Sequence, residues 1–103
     1  MADLSQKEWM EQLKTDENAF ILDVRTSLEF KQGFIPDASN IDIYLGQHFM
    51  AELEKLDKSK SYYVYCRSGA RSRQACALMN SIGIDKAYNL SGGIIAWQGE
   101  IIR

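Results

Sequence analysis

Two hydrophobic periods run along the chain, one typical of amphipathic helices and one of buried strands. Near the start, Trp9 and Leu13 are spaced to share one face of a helix. Ser5 and Glu8 stand three residues apart, the spacing of a capping box in which each side chain bonds the other residue's backbone N–H. This pattern predicts a first helix over residues 5–15.

A short apolar stretch, 20–24, follows and has the β-rich composition of a buried strand. Thr26 and Glu29 then repeat the capping-box spacing, and Gly33 stands where a helix C-cap is expected. We therefore predict a strand that is followed directly by a short helix over 26–32.

The second half of the chain repeats this alternation. Helical spacing of apolar residues predicts a third helix over 47–56, and the β-rich run 61–65 predicts a strand beside the first one. After a polar loop, helical spacing resumes and lasts to Gly83. A last short strand is predicted over 86–90, and a final helical turn or two over 93–99.

Strands that alternate with helices in this way indicate an α/β fold, with a mostly parallel sheet and helices on both faces. In such sheets, ligands bind beyond the carboxyl ends of the strands. Asp23 and Cys66 both fall at that edge, so a site is expected there. The 103 residues are expected to form one domain, over 1–103.

Composition and charge narrow the possible functions. Hydrophobic residues make up 46% of the chain and charged residues 25%, which is typical of an ordered globular protein. The net charge of -2 gives no general attraction to nucleic acid or to a membrane, so neither is expected as a partner. Two cysteines do not make a disulfide framework, and no apolar stretch approaches the roughly 20 residues of a membrane span. With no leader pattern at its start, the protein is expected to be cytoplasmic, with free thiols.

The most informative segment is the loop 66–72, which holds a cysteine, small residues and two arginines between a predicted strand and a predicted helix. Such a turn directs several backbone N–H groups and the positive helix end at whatever lies above it. These donors favour the thiolate form of a cysteine, and Arg67 and Arg71 add guanidinium groups suited to oxyanions. The predicted chemistry is attack by the Cys66 thiolate on an anionic substrate.

Three sequence blocks, in order and at family-like spacing, resemble those of single-domain rhodaneses, the thiosulfate sulfurtransferase family. The blocks are Leu22 to Arg25 with Glu29, Gly33, Ile35 and Pro36; the loop Cys66 to Arg71; and Asn89 to Gly93 with Ala96 and Trp97. The resemblance covers nearly all of 4–99. It implies a five-stranded, mostly parallel sheet flanked by helices, and a Cys66 that carries sulfur as a persulfide.

The resemblance also implies how the loop would work. Cys66 would attack the outer sulfur of thiosulfate or of a persulfide donor, and a thiol acceptor such as thioredoxin or a sulfur-carrier protein, or cyanide, would then remove that sulfur. The loop residues expected to hold the small anionic sulfur donor are Arg67, Ser68, Gly69, Ala70, Arg71 and Ser72. Because sulfite is a competent leaving group, this reaction requires no general acid. We also expect the protein to use neither a cofactor nor a metal.

Three positions depart from the family pattern. Where the family commonly has His, Gly and a second Pro, this chain has Phe34, Asp37 and Asp42. Asp tolerates left-handed backbone better than most other residues, so the fold is expected to survive the change at Asp37. The departures concern the rim of the site, and hence substrate choice, more than the cysteine chemistry.

Other polar and thiol groups have simpler interpretations. Asp23 and Arg25, two residues apart on extended chain, can face the same side, and we expect them to brace a loop rather than to catalyse. Cys76 invites a redox role as a resolving thiol for Cys66. Its place on the apolar side of a helix instead predicts a packed core thiol.

Two other functions are alternatives to sulfur transfer on this fold. Cysteine-dependent phosphatases and arsenate reductases, some of this same fold, usually have five residues between Cys and Arg, whereas here Arg71 comes one residue early and the next residue is Ser72. We also expect no acidic residue beside the loop that could protonate a leaving group. The third possibility is a non-catalytic binding module of this fold, whose signature would be loss of the cysteine. Cys66 is present.

Overall fold

Five parallel strands form one sheet in the computed structural model, which describes residues 2–103. The strands are β1 (Ala2–Leu4), β2 (Ala19–Asp23), β3 (Ser39–Asn40), β4 (Ser61–Tyr65) and β5 (Ala87–Leu90). They lie in the order β1-β5-β4-β2-β3, and each of these pairings is parallel. This arrangement confirms the predicted α/β class and the five-stranded parallel sheet.

The helices begin where local sequence signals place them. They are α1 (Gln6–Thr15), α2 (Ser27–Gln32), α3 (Gln47–Glu54) and α4 (Ala70–Ser81), with short 3₁₀ segments at Ile43–Leu45 and Ile94–Ala96. Both predicted capping boxes are formed, by Ser5 with Glu8 and by Thr26 with Glu29. The last helical segment is shorter than predicted and is a 3₁₀ turn. None of the helices among residues 2–103 combines the length and apolar character needed to cross a bilayer.

Two hydrophobic cores cover the two faces of the sheet, because successive residues of a strand point to opposite sides. On one face, Val64 of β4 belongs to a buried cluster with Leu53 of α3 and Met79 of α4. On the other face, Tyr63 belongs to a cluster with Trp9 of α1. The prediction of helices on both faces is confirmed.

The hydrophobic pattern of the sequence does not predict two of the five strands. The edge strand β1 has three residues and β3 has two, so neither contains enough positions for a hydrophobic period to appear. Both depend on a partner for their extended conformation: β1 pairs with β5, and β3 pairs with β2. Tertiary pairing therefore defines the two edges of the sheet.

The three departures from the family pattern are accommodated locally. Phe34 stacks on Phe30, with 4.3 Å between ring centroids, and forms an antiparallel bridge with Ile102. Asp37 has a φ of 70°, so the expectation that aspartate tolerates left-handed backbone here is confirmed. Asp42 caps the 3₁₀ segment that follows it, because its carboxylate accepts a hydrogen bond from the Tyr44 N–H.

Candidate active site

The loop that holds Cys66 lies at the carboxyl edge of the sheet, directly after the central strand β4. Cys66 follows Tyr65, and α4 begins at Ala70 after Gly69, which has a φ of 105°. Asp23 ends the neighbouring strand β2 at the same level, paired in register with Tyr65. The sequence therefore locates the site at the edge where parallel sheets bind ligands.

The Cys66 sulfur faces hydrogen-bond donors of its own loop. The Gly69 N–H lies 3.1 Å from Sγ, and the Ser72 hydroxyl lies 3.3 Å from it. Burial alone would raise the pKa of the Cys66 thiol, but hydrogen bonds from Ser72, Gly69 and Ser68 outweigh burial and hold that pKa below its ordinary value. Cys66 has no exposed surface, so its sulfur lies at the base of the loop and a donor must reach it there.

A second layer of backbone supports the loop from behind. The Ile94 N–H donates to the Cys66 carbonyl at 2.9 Å, and the Ile95 N–H donates to the Arg67 carbonyl at 3.0 Å. Gly93, with a φ of 63°, packs so closely that an added Cβ would overlap the Arg67 carbonyl. The glycine-rich turn before the 3₁₀ segment therefore fixes the backbone path of Cys66 and Arg67.

Arg71 is held by a carboxylate from another helix. Its guanidinium forms two bonds to Glu29 of α2, at 2.8 and 3.0 Å, and its Cζ lies 5.4 Å from the centre of the Tyr44 ring. An acidic residue therefore does lie beside the loop, although nothing in the sequence indicated it. The hydrogen bonds from Arg71 are the largest influence on Glu29 and lower its pKa to about 2, so this carboxyl is ionised at neutral pH.

The remaining loop residues divide into an outer and an inner set. Arg67, Ser68 and Ala70 are exposed, whereas Gly69 and Ser72 are buried against the cysteine. Arg67 thus contributes positive charge at the mouth of the loop, while Gly69 and Ser72 contact the sulfur directly. Of the residues that follow Cys66 in the loop, Gly69, Ser72 and the backbone of Ser68 therefore supply the hydrogen bonds to its sulfur.

Asp23 and Arg25 form a buried ion pair. Nη2 of Arg25 lies 2.6 Å from Oδ2 of Asp23 and 2.7 Å from the Gly33 carbonyl, so the pair joins β2 to the end of α2. The pair lies one strand away from the cysteine loop. Its bonds anchor α2, the helix that carries Glu29 to Arg71.

The second cysteine is buried in the same hydrophobic cluster as Cys66, but its pKa shifts in the opposite direction. Cys76 is fully buried in the cluster that contains Leu53 and Met79, and burial raises its pKa to about 12. A thiol in this state is a packing group, as the sequence predicts. Residues 2–103 hold no cluster of three or more His, Cys, Asp or Glu side chains able to bind a metal ion.

Sequence reasoning did not assign Glu29 to the site. Glu29 stands 42 positions before Arg71, and its capping-box pattern already gave it a local role. The same carboxylate caps α2 and binds Arg71, because Oε1 accepts from the Thr26 backbone N–H as well as from Arg71. The one sequence feature that could have indicated a role for Glu29 in the site is its place in the first of the three sequence blocks shared with rhodaneses.

Comparison with known proteins agrees with this geometry. A family model described as "Rhodanese-like domain" matches residues 6–100. A protein named sulfurtransferase from Allochromatium vinosum is 42% identical over 87 residues, which is 84% of this chain and 78% of that protein.

Two solved structures have the same fold. The rhodanese-like domain protein from Staphylococcus aureus is 32% identical, with a TM-score of 0.82 over 97% of this chain and 94% of that one. The human single-domain sulfurtransferase is 26% identical, with a TM-score of 0.77 over 97% of this chain and 99% of that one. By its sequence and its fold, the chain belongs to the rhodanese-like domain family.

Proposed function

We propose that this protein is a sulfurtransferase that takes sulfane sulfur from thiosulfate or a persulfide donor onto Cys66 and passes it to a thiol or to cyanide. Its sulfurtransferase relatives support sulfur transfer in general. The observation that carries the proposal for this chain is the Cys66 sulfur at the base of its loop, bonded by the Gly69 N–H and the Ser72 hydroxyl. Both donors favour the thiolate that the chemistry needs.

The reaction has two displacement steps. In the first, the Cys66 thiolate attacks the outer sulfur of thiosulfate, a new S–S bond forms, and the old S–S bond breaks with its electron pair leaving on sulfite. In the second, an acceptor thiolate or cyanide attacks the outer sulfur of the Cys66 persulfide, and Cys66 leaves as thiolate. No electron is gained or lost overall, so the cycle needs no redox partner.

The arginines supply positive charge where the donor's sulfonate would lie. Arg71 is fixed by two bonds to Glu29, and Arg67 is exposed at the loop mouth. A guanidinium that is already oriented loses little freedom when it binds an oxyanion, which favours Arg71 as the specific contact. The exposed Arg67 would then attract the anion more than orient it.

A phosphatase or arsenate reductase is the second enzymatic possibility, and the geometry disfavours it. Alcohol or phenol leaving groups need a proton donor, and Glu29, the carboxyl that contacts the loop arginine, has a pKa near 2 and is ionised at neutral pH. The loop is also one residue shorter than the usual motif of those enzymes. A non-catalytic module is disfavoured because the cysteine is present with a lowered pKa.

Exposed apolar side chains support a protein thiol as the acceptor. Ile95 is 63% exposed and follows the residue whose N–H holds Cys66, while Leu28 is 68% exposed and precedes Glu29 in α2. Tyr44, also 68% exposed, lies against Arg71. Large apolar groups beside a site are typical of surfaces that dock another protein, such as thioredoxin or a sulfur-carrier protein.

The test of the proposal is the mass of the intact protein after incubation with thiosulfate. We expect the mass of one added sulfur atom, reversed by cyanide with release of thiocyanate and by dithiothreitol. A parallel incubation with an aryl phosphate should release no phenol. Hydrolysis of the phosphate ester without sulfur uptake would replace the proposal with the phosphatase alternative.

Arg71 offers a test of how the donor is bound. Arg71→Lys keeps the positive charge but loses the two-pronged contact with Glu29, so we expect kcat/KM for thiosulfate to fall by about tenfold, as one charge-assisted hydrogen bond would predict. Transfer from the loaded persulfide to cyanide, which carries no sulfonate, should change much less. Urea unfolding measures the effect of the substitution on stability. A loss of stability together with equal losses of rate in both half-reactions would make Arg71 a purely structural residue.

A further inference from the structure

Asn89 is a buried amide behind the cysteine loop, at the carboxyl end of β5. It has no exposed surface, and its Nδ2 donates to the Gly69 carbonyl at 3.2 Å and to Oδ1 of Asp3 at 2.6 Å. Its own Oδ1 is buried without a hydrogen-bond partner among the described residues. A buried acceptor without a partner destabilises the fold, so stability alone does not account for an amide here.

The orientation of this amide is fixed by its two acceptors. Rotating the amide by half a turn would direct its oxygen at the Gly69 carbonyl and the Asp3 carboxylate, both of which are acceptors. Asp3 lies directly opposite Asn89 in the parallel pairing of β1 with β5 and bonds Arg73 at 3.1 Å. The Nδ2 group is therefore directed at the loop.

The Ser72 hydroxyl, by contrast, lies near two acceptors and can donate its proton to only one of them. Its oxygen lies 3.3 Å from the Cys66 sulfur and 3.2 Å from the Gly69 carbonyl oxygen, yet it has one proton. Either the sulfur or the carbonyl receives that proton. The choice decides whether Ser72 stabilises a negative charge on Cys66.

We propose that Asn89 is a positioning residue for Cys66, which occupies the Gly69 carbonyl and thereby turns the Ser72 hydroxyl toward the sulfur. The Gly69 carbonyl accepts the Arg73 backbone N–H at 3.1 Å as well as the Asn89 amide, so both of its lone pairs are used, whereas a thiolate is a charged and therefore stronger acceptor for the Ser72 proton. With Asn89 in place, the Ser72 proton favours sulfur. Without it, the Gly69 carbonyl competes for the same proton. The use of the Cys66 thiolate in sulfur transfer rests on the proposed function. The effect of Asn89 on the direction of the Ser72 hydrogen bond does not.

The other charged and titratable groups near the cysteine keep their charge when Asn89 is replaced, including Asp3, which accepts from the Asn89 amide. Arg71 faces the loop with its charge paired to Glu29, and Cys76 of α4 is neutral at physiological pH because burial raises its pKa. Asp3 and Arg73 lie beyond Asn89, paired with one another. Because replacing Asn89 changes none of these charges, any change in Cys66 ionisation would have to pass through the loop.

The test measures Cys66 ionisation in the absence of any sulfur donor. The rate of iodoacetamide modification at Cys66, followed by peptide mass as a function of pH, gives the midpoint of thiolate formation. We expect Asn89→Leu, which keeps the side-chain size but removes the donor, to move the midpoint to higher pH and to slow modification at neutral pH by about threefold. Ser72→Ala should slow it by about tenfold, because the hydrogen bond itself is lost. Asn80→Leu is the matched control, since it removes a hydrogen bond from a side-chain amide to the Ile84 carbonyl at the far end of α4.

The double variant separates positioning from a general structural effect. If Asn89 acts through Ser72, then Asn89→Leu shifts the midpoint in the wild-type background and has no further effect in the Ser72→Ala background. An unchanged midpoint in Asn89→Leu, or an equal shift in both backgrounds, overturns the proposal. If Asn89→Leu does not fold, Asn89→Ala is read in the same way. Failure of sulfur uptake alone would overturn the proposed function and leave this result standing.

Discussion

Cys66→Ser is expected to abolish sulfur uptake from thiosulfate, while Cys76→Ala retains it at the wild-type level. A serine hydroxyl is not ionised at neutral pH, and the donors that stabilise a thiolate cannot make it a comparable nucleophile for sulfur. Cys76 has a pKa of about 12, because burial raises it, so its thiol stays protonated at neutral pH. Intact mass after thiosulfate treatment reads out both variants directly.

The same pair of variants checks the ionisation of the two thiols. The pKa of Cys66 is lowered, so its thiolate is present at pH values where an ordinary cysteine is still protonated, whereas the raised pKa of Cys76 keeps that thiol neutral. Iodoacetamide at neutral pH should therefore modify Cys66 alone in the folded protein. Sulfur uptake by folded Cys66→Ser, with circular dichroism unchanged, would contradict the assignment of the nucleophile.

Gly93→Ala is expected to reduce sulfur transfer by about 100-fold or more, because it displaces the loop that carries Cys66. The added Cβ would overlap the Arg67 carbonyl and stand 2.6 Å from the Ser68 nitrogen, and both are backbone atoms that cannot turn aside. The φ of 63° adds strain for any residue with a side chain. The Ile94 and Ile95 bonds to the loop carbonyls begin directly after this glycine, so moving it also disturbs them.

Gly46→Ala is the matched control for this prediction. Gly46 has a similar φ of 55°, but an added Cβ there would have no neighbour within 4 Å. We expect it to lower the free energy of unfolding by about 1–3 kcal/mol through backbone strain and to leave the activity of the folded fraction unchanged. A Gly93→Ala protein with wild-type kcat/KM, or equal activity losses in the two variants, would show that the close approach at Gly93 does not govern the loop.

Local signals in the sequence account for most of the architecture. Capping boxes at Ser5 and Thr26 predict the starts of α1 and α2, because the bonds that form them join residues only three apart. The β-rich run 61–65 predicts the central strand β4, and every one of its residues is buried in the structure. The position of Cys66 then follows from the rule for parallel sheets.

The parts that sequence reasoning missed depend on residues far apart in the chain. The bond from Arg71 to Glu29 spans 42 positions, and the bond from Asn89 to Asp3 spans 86. Neither pair has a spacing that a helix or strand period would reveal. Each becomes visible only when the sheet order places β1 beside β5 and the fold brings α2 against the start of α4.

The three residues of β1 have a practical consequence for anyone who handles this protein. Removing or altering this stretch, as happens in trimmed expression clones, would delete the carboxylate that orients Asn89 and would expose the edge of β5. We expect such a clone to differ from the intact chain in how fast its cysteine reacts, because Asn89 loses the Asp3 carboxylate. Assays intended to compare variants should therefore keep the amino-terminal residues intact.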